Sequence, residues 1–183
     1  MGRLEVKIYP DPCLRIRTKP VEQFSRDIKQ TLRSMADIMY VSRGIGLAAT
    51  QVGLGLSVLV VDAGENLMNF VNPVILERSK KKSRMEEGCL SLPGITVNVT
   101  RAAEVEVRAQ NEEGEFFIKK FDGLPATVIQ HEVDHLHGKL IIDYLDPIRR
   151  FMAARKLAGS GRGGSGKTCE VVCNAGEGYN GGA

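Results

Sequence analysis

The sequence predicts a single α+β domain in which antiparallel sheets surround a central helix. Its 183 residues, 43% of them apolar, suit one compact domain with its own core. Segments that alternate apolar and charged side chains, as half-buried strands do, follow one another between residues 95 and 121. Helical patterns stand before and after these strands rather than between them, which favours α+β over a doubly wound parallel sheet.

The first part of the chain is predicted to form an arm, a helix and two strands. The segment up to Pro20 contains three prolines and is expected to be extended, with turns. Ser25 is a suitable N-cap for a helix with an apolar face at helical spacing. Apolar runs at 56–61 and 70–76 indicate strands, and Pro73 predicts an edge or a bulge in the second. The apolar face of the helix comprises Ile28, Leu32, Met35, Ala36 and Met39.

The later part of the chain is predicted to begin with a lysine-rich, solvated loop at 77–84. Alternating patterns at 95–109 and 115–121 then predict antiparallel strands, with the hairpin turn between them at 111–114. After a further helix, the apolar residues at 140–142 predict a short strand. Pro147 is expected to begin a basic helix that continues through Lys156.

The most informative stretch lies on the helix predicted from Leu124 to His137. His131 and His135 are four residues apart, so their rings project from one helix face and can bind the same metal ion. Glu132 lies beside them, where a carboxylate can take a proton from a water activated at a metal. This is the chemistry of metal-assisted amide hydrolysis, and it requires a third protein ligand.

Cys89 is a candidate for that third ligand. A lone cysteine is more often a small buried apolar residue, but a thiolate is a ligand type that completes a site with two histidines. The glycine-rich segment 43–53 permits close approach of backbone to a ligand, and Gln51 has an amide able to donate to a developing oxyanion. On its own, that segment is equally compatible with a tight turn and a solvent-facing glutamine.

Composition and charge exclude several classes of protein. The formal charge of +3, from 25 basic and 22 acidic residues, is too small to indicate direct binding of DNA as the main function. The longest aliphatic run, at 56–61, is too short to cross a bilayer. The first residues alternate charged and apolar side chains, so they lack the apolar core of a signal peptide. We therefore expect a soluble, intracellular protein that works in the cytoplasm, with an organelle as the alternative.

The composition changes near residue 158, which divides the chain into a predicted catalytic domain at 1–157 and a glycine-rich, flexible tail at 158–183. Within the tail, Gly161–Thr168 matches the letters of the phosphate-binding loop pattern. That pattern should follow a buried strand and open a helix inside a large α/β sheet, which this position does not offer. We expect no nucleotide site there.

Three segments stand in order along the chain: Gly44–Gln51, Glu87–Ser91 and Gln130–His135. Together they resemble peptide deformylase, a family of metalloenzymes that remove the formyl group from the initiator methionine of nascent chains. The resemblance extends from the N-terminal arm to about Lys156. It implies the fold of that family, a small α+β domain whose central helix bears both histidines.

The resemblance implies a role for each residue of the site. One divalent metal ion would be bound, by Cys89, His131 and His135. The resemblance favours Fe²⁺ in the cell, although Zn²⁺, Ni²⁺ and Co²⁺ also suit these ligands. Glu132 would move the proton, while the amide of Gln51 and the backbone N–H of Leu90 would stabilise the oxyanion.

The resemblance further implies an apolar pocket for the methionine side chain of N-formylmethionyl peptides. The residues implied around it are Ile45, Gly46, Met85 and Leu124. Glu87 is expected to pair with Arg101 and so to brace the loop that bears Cys89. The C-terminal helix is a candidate for docking on the ribosome, as in bacterial relatives, although solvent-facing charge is the alternative. Its cations are Arg149, Arg150, Arg155 and Lys156.

Two other functions fit part of the pattern. A metalloprotease of the HExxHxxGxxH type would need a third histidine where Ile141 stands, so its third ligand would have to come from a downstream carboxylate. The downstream candidates are Asp143, Asp146 and Glu170. A non-catalytic module with a structural metal would usually supply four ligands, whereas three are apparent here, and Glu132 would then have no function.

Overall fold

The computed structural model describes residues 4–64 and 66–160, which form three α-helices, seven β-strands and three short 3-10 helices. The α-helices are α1 (Arg26–Val41), α2 (Gly123–Leu136) and α3 (Pro147–Ser160). The strands are β1 (Gly46–Ala48), β2 (Val58–Val61), β3 (Met68–Arg78), β4 (Lys82–Gly88), β5 (Thr96–Ala102), β6 (Glu104–Gln110) and β7 (Phe116–Asp122). The 3-10 helices are Pro12–Arg15, Ala49–Val52 and Ile141–Tyr144.

The strands form two antiparallel sheets. The larger has the order β1-β2-β3-β6-β7, and the smaller contains β4 and β5. The predicted hairpin is present as β6 and β7, joined by the turn at 111–114. The α+β class with antiparallel sheets is confirmed.

Helices α1 and α2 cover opposite faces of the five-stranded sheet. Successive side chains of β2 point to opposite faces, so Val58 and Val60 pack in the cluster with α1, and Leu59 and Val61 pack in the cluster with α2. Burial on both faces explains why this strand is an unbroken apolar run. At the start of α1, Ser25 Oγ accepts a hydrogen bond from the N–H of Asp27, as a cap should.

Helix α2 lies between the two sheets. On one side it packs into the cluster that contains Phe70, which is fully buried and contacts the rings of Phe117 and Phe121 at centroid distances of 5.6 and 5.9 Å. On the other side, the side chain of Gln130 pairs with the backbone of Ala102 in β5, donating over 3.0 Å and accepting over 3.2 Å. A helix held from both sides is a rigid support for the residues that it bears.

Of two strand predictions, the loop at 77–84 is wrong, and the edge or bulge at Pro73 is confirmed as a bulge. The segment 77–84 is not a loop, because it contains the end of β3, a tight turn and the start of β4; its charged side chains alternate outward from paired backbone. Pro73 does not mark an edge, since β3 lies between β2 and β6. It marks a bulge instead: the register shifts between Val71 and Val74, beside Asn72 with its φ of 52°.

The predicted strand at 140–142 is also wrong. The chain forms the 3-10 helix Ile141–Tyr144, in which a carboxylate oxygen of Asp143 accepts from the N–H of Leu140 over 2.9 Å. Its apolar residues are buried against β5 and α3 rather than in a sheet, and a run of three apolar residues does not distinguish the two. Similarly, the glycine-rich segment is more than a turn, because it contains β1 and the 3-10 helix Ala49–Val52.

The C-terminal helix begins at Pro147 as predicted, and it continues to Ser160, past the predicted domain boundary at 157. The rest of the predicted tail, including Gly161–Thr168, lies outside the described residues. Among the helices at residues 4–64 and 66–160, none is long and apolar enough to span a membrane.

The buried aromatic cluster allows a test of the core. We expect Phe70→Ala to lower the free energy of unfolding by about 3–5 kcal/mol, because it leaves a cavity where three rings meet. Phe116→Ala is the matched control, since this ring is 71% exposed, and should change stability by less than about 0.5 kcal/mol. Urea denaturation followed by circular dichroism measures both. Equal losses in the two variants would contradict this core.

Candidate metal centre and active site

The structure brings one sulfur and two ring nitrogens to a common point. Cys89 Sγ lies 3.2 Å from His135 Nε2, which lies 3.2 Å from His131 Nε2. The three donor atoms all lie within 4.8 Å of one another. Cys89 lies 42 positions before His131 in the chain, so the fold rather than the local sequence brings the sulfur to the two histidines.

The spacing of these atoms fits a single metal ion. Two nitrogens bound at 2.0–2.1 Å with tetrahedral angles stand about 3.3 Å apart, close to the observed 3.2 Å. One thiolate and two imidazoles form a donor set that suits divalent transition metals. Three protein ligands leave a further position for water or substrate, which is typical of catalytic rather than structural sites.

Local structure presents each ligand. The two histidines lie one turn apart on the rigid helix α2. Cys89 follows the last residue of β4, and a turn closed by the N–H of Leu92 donating to the Cys89 carbonyl over 3.0 Å directs the chain back. Cys89 is a free cysteine, half-buried at the floor of a cleft.

Glu132 is buried beside the cluster, and its Oε2 has no hydrogen-bond partner among the described residues. Burial disfavours the carboxylate and raises the pKa of Glu132 to about 7. A carboxyl group with a pKa near neutrality and an unused acceptor oxygen is suited to proton transfer.

Gly46 makes room for this carboxylate. A Cβ at position 46 would lie 2.5 Å from Glu132 Oε1 and 2.7 Å from a methyl group of Val128. Since both atoms belong to the fully packed helix α2, any larger residue would displace the carboxylate or the strand.

The two histidines differ in their electrostatic surroundings. Burial lowers the pKa of His135 well below its usual value, and the nearby His131 lowers it further, so His135 is neutral. Burial also disfavours the charged form of His131, but contacts with Cys89 and Glu87 outweigh this and raise the pKa of His131 to about 10. A cation at this position therefore has a proton to displace, and metal uptake should release it.

Gln51 is fully buried, and its orientation is determined by its hydrogen bonds. The side-chain oxygen accepts from the N–H of Ala48 over 2.8 Å, so the NH₂ group points the other way. That group lies 3.5 Å from Cys89 Sγ and 3.4 Å from Ser91 Oγ. The amide donor predicted from the sequence is thus at the cluster rather than in solvent.

The predicted pair of Glu87 and Arg101 is confirmed. Arg101 donates from Nε and Nη2 to the two oxygens of Glu87, and both side chains are buried. Glu87 Oε2 also lies 2.9 Å from His131 Nδ1, so the carboxylate contacts a residue of the cluster directly. Burial alone would raise the pKa of Glu87, but hydrogen bonds from His131 and Arg101 outweigh it and hold the pKa below its usual value.

An apolar cleft of about 520 Å³ leads to the cluster. All four residues predicted to surround a substrate pocket line it, as does Leu90, next to Cys89; the four are Ile45, Gly46, Met85 and Leu124. Ile45 and Leu124 stand at the rim with more than two fifths of their surface exposed. The cleft is therefore open to an extended chain from outside.

The structure adds residues that sequence patterns did not indicate. Thr127 and Ile95 also line the cleft, but isolated residues of these types have no distinguishing pattern. Asp134 accepts from Arg101 Nη1 over 2.9 Å, and its position inside the histidine motif was the available signal. Tyr144 donates to Asp134 over 2.7 Å, and no sequence pattern pointed to it.

Comparison with known proteins identifies the family of this chain. Residues 3–151 match the family model of polypeptide deformylase. A peptide deformylase of Thermotoga neapolitana is 45% identical over 152 residues, covering 83% of this chain and 93% of the relative. A peptide deformylase of Hahella chejuensis is 42% identical over 160 residues, covering 86% and 95%.

Solved structures are similar over the same region. The crystal structure of a peptide deformylase from Legionella pneumophila has a TM-score of 0.82 at 40% identity, covering 88% of this chain and 96% of that one. The peptide deformylase from Ehrlichia chaffeensis, in complex with actinonin, has a TM-score of 0.85 at 31% identity, covering 88% and 99%. From the family match and these relatives, the chain belongs to the polypeptide deformylase family.

Proposed function

We propose that this chain performs the reaction of its family through the cluster on β4 and α2. The reaction is the hydrolytic removal of the N-formyl group from the initiator methionine of nascent polypeptides, with release of formate. One observation carries the assignment of residues: a cysteine sulfur and two imidazoles converge beside a buried carboxyl group that has an unused acceptor oxygen.

The metal ligands in this proposal are Cys89, His131 and His135. A divalent metal ion bound there would supply the Lewis acidity that lets water act as a nucleophile at neutral pH. We propose Fe²⁺ as the ion used in the cell, while Zn²⁺, Ni²⁺ and Co²⁺ also suit these donors.

The remaining groups of the site move protons and stabilise charge. Glu132 takes a proton from the attacking water through its unpartnered Oε2 and passes it to the leaving amine, which becomes the free N-terminus. The NH₂ group of Gln51, held in place by the bond from Ala48, donates to the oxyanion that develops on the formyl oxygen. The backbone N–H of Leu90 is the second donor in this proposal.

In this proposal, the cleft selects the substrate. Ile45, Met85 and Leu124 offer an apolar surface to a methionine side chain, and burial of that side chain holds the formyl group at the metal centre. Gly46 also lines the cleft, and we propose that its backbone contacts the peptide.

The alternatives have less support. Asp143, a downstream ligand in the protease hypothesis, already accepts from Arg15, Arg150 and the backbone of Leu140. Asp146 pairs with Arg149 on the surface, and Glu170 lies outside the described residues. A structural metal site leaves the buried Glu132 without a function.

We further propose that residues 1–157 form the catalytic domain and that the enzyme works in the cytoplasm, docked on the ribosome through α3. Arg149, Arg150 and Arg155 are exposed on this helix, where phosphate groups of RNA could reach them. Arg149 and Arg150 also pair with Asp146 and Asp143, so RNA would compete with these carboxylates.

Loss of a ligand should abolish metal binding. We expect Cys89→Ala and His131→Ala, purified without oxygen, to fall from about one ion per chain to near zero, since two ligands hold a divalent ion poorly. His137→Ala is the matched control, because this histidine is exposed and bonded to the Val133 carbonyl instead. Elemental analysis measures the metal and identifies it. Retention of the metal by Cys89→Ala would favour the protease alternative.

Removal of the general base should separate metal binding from catalysis. We expect Glu132→Gln to keep its metal and to lower kcat for a formyl-methionyl peptide by about 10²–10⁴-fold. Glu113→Gln removes a carboxylate that pairs with Lys29 on the surface, and it should leave formate release unchanged. Full formate release by metal-loaded Glu132→Gln would refute the assigned role.

Charge reversal tests the docking helix. We expect Arg149→Glu combined with Arg155→Glu to weaken binding to purified ribosomes by about 10-fold or more at low salt, because phosphate contacts would be lost. The matched control reverses Lys80 and Lys81, two lysines of the turn between β3 and β4. Co-sedimentation gives the affinities. Equal weakening by both pairs would indicate nonspecific attraction instead of docking through α3.

A further inference from the structure

A continuous chain of hydrogen bonds leads from the metal cluster to the protein surface. His131 Nδ1 meets Glu87 Oε2 at 2.9 Å, and Arg101 Nη2 donates to the same oxygen at 2.9 Å. On its other side, Arg101 Nη1 donates to Asp134 Oδ2 at 2.9 Å. Tyr144 OH donates to that same oxygen at 2.7 Å. The last two residues have no part in the proposed reaction.

Exposure to solvent is greater at the outer end of this chain of hydrogen bonds than near the cluster, which indicates the role of Asp134 and Tyr144. Side-chain exposure is 4% for Arg101 and 5% for Glu87, but 23% for Asp134. Tyr144, at 37% exposure, closes the chain at the surface. A buried guanidinium held by one carboxylate alone could pivot about that pair, whereas a second carboxylate on its opposite edge determines its plane.

The plane of Arg101 matters because Glu87 has two tasks. Its carboxylate must accept from Arg101 and also meet the His131 ring at Nδ1, which leaves Nε2 directed at the cluster. A rotation of the guanidinium would draw the carboxylate away from that ring. Partners of this kind orient metal ligands and select their tautomer.

We propose that Tyr144 and Asp134 are positioning residues of the metal centre, acting through Arg101 and Glu87 on the ring of His131. The inference rests on the proposed function, because it takes His131 as a metal ligand. It also gives the 3-10 helix Ile141–Tyr144 a role: this helix and α2 clamp Arg101 of β5 between them.

Tyr144→Phe removes the hydroxyl and keeps the ring. The hydroxyl donates to Asp134 and also accepts from Arg101 Nη1 over 3.3 Å. The ring contacts Lys139 Nζ at 3.7 Å and Arg101 Cζ at 5.2 Å from its centroid, and phenylalanine preserves both. Tyr40→Phe is a matched control, because Tyr40 also donates to an aspartate, Asp62, over 2.7 Å, at a site remote from Arg101. Both variants thus remove a bond from a tyrosine hydroxyl to an aspartate, but only Tyr144→Phe removes a contact with Arg101.

The test measures release of Co²⁺ from loaded, full-length protein into excess chelator. We expect Tyr144→Phe and Asp134→Asn to release Co²⁺ roughly 3- to 30-fold faster, somewhat less than the 10- to 100-fold effects of direct partners of metal ligands. Their Co²⁺ absorption bands, which report ligand geometry, should shift, whereas Tyr40→Phe should match the wild type in rate and spectrum. Wild-type rates and spectra in both Tyr144→Phe and Asp134→Asn would overturn the proposal.

A double variant tests the path. If Tyr144 acts through Glu87, Tyr144→Phe should change the release rate by less than about 2-fold when Glu87→Gln is already present. An undiminished effect in that background would overturn the path through Glu87 and indicate a general structural role. A wild-type protein that takes up Co²⁺ without a thiolate band would instead disprove the metal site itself, and the positioning role with it.

Discussion

The carboxylate of Glu87 joins the two parts of the chain that form the metal cluster. It stands two residues before Cys89 at the end of β4, and it contacts His131 on α2 directly. Arg101 to Asp134 and Gln130 to Ala102 also link the small sheet to α2, but only the contact of Glu87 reaches a histidine of the cluster among the described residues. The distance from Cys89 Sγ to the ring nitrogens of the histidines thus depends on how rigidly the Glu87 carboxylate is held.

Arg101 makes the burial of that carboxylate possible. An isolated anion inside a protein is costly, and removal of one partner from a buried pair is strongly destabilising. Here the bidentate pairing compensates the charge, and Nη1 of Arg101 donates to Asp134 and to the hydroxyl of Tyr144. Low dielectric constant strengthens these bonds as well as the penalty for breaking them, so the arrangement is rigid.

The packing of the rest of the fold holds the metal cluster and Glu132 in place. Helix α2 is held by the aromatic cluster on one side and by Gln130 on the other, so both histidines and Glu132 have a firm base. The glycine-rich segment brings β1 against the same helix, and the absence of a side chain at Gly46 leaves space for the Glu132 carboxylate. Catalytic groups that must be placed within fractions of an ångström need this kind of packing.

Several features followed from the sequence because they depend on local spacing. The histidines four residues apart, the amphipathic pattern of α1 and the β6–β7 hairpin each lie within a short window, where helix and strand periods are distinct. Other features arise between distant segments. The 3-10 helix at Ile141, the inner position of β3 and the bond from Tyr144 to Asp134 depend on which surfaces meet, and residue order alone does not specify that. The period of a helix or strand determines which face a side chain occupies. The residue that the side chain contacts is determined by the packing of the whole domain.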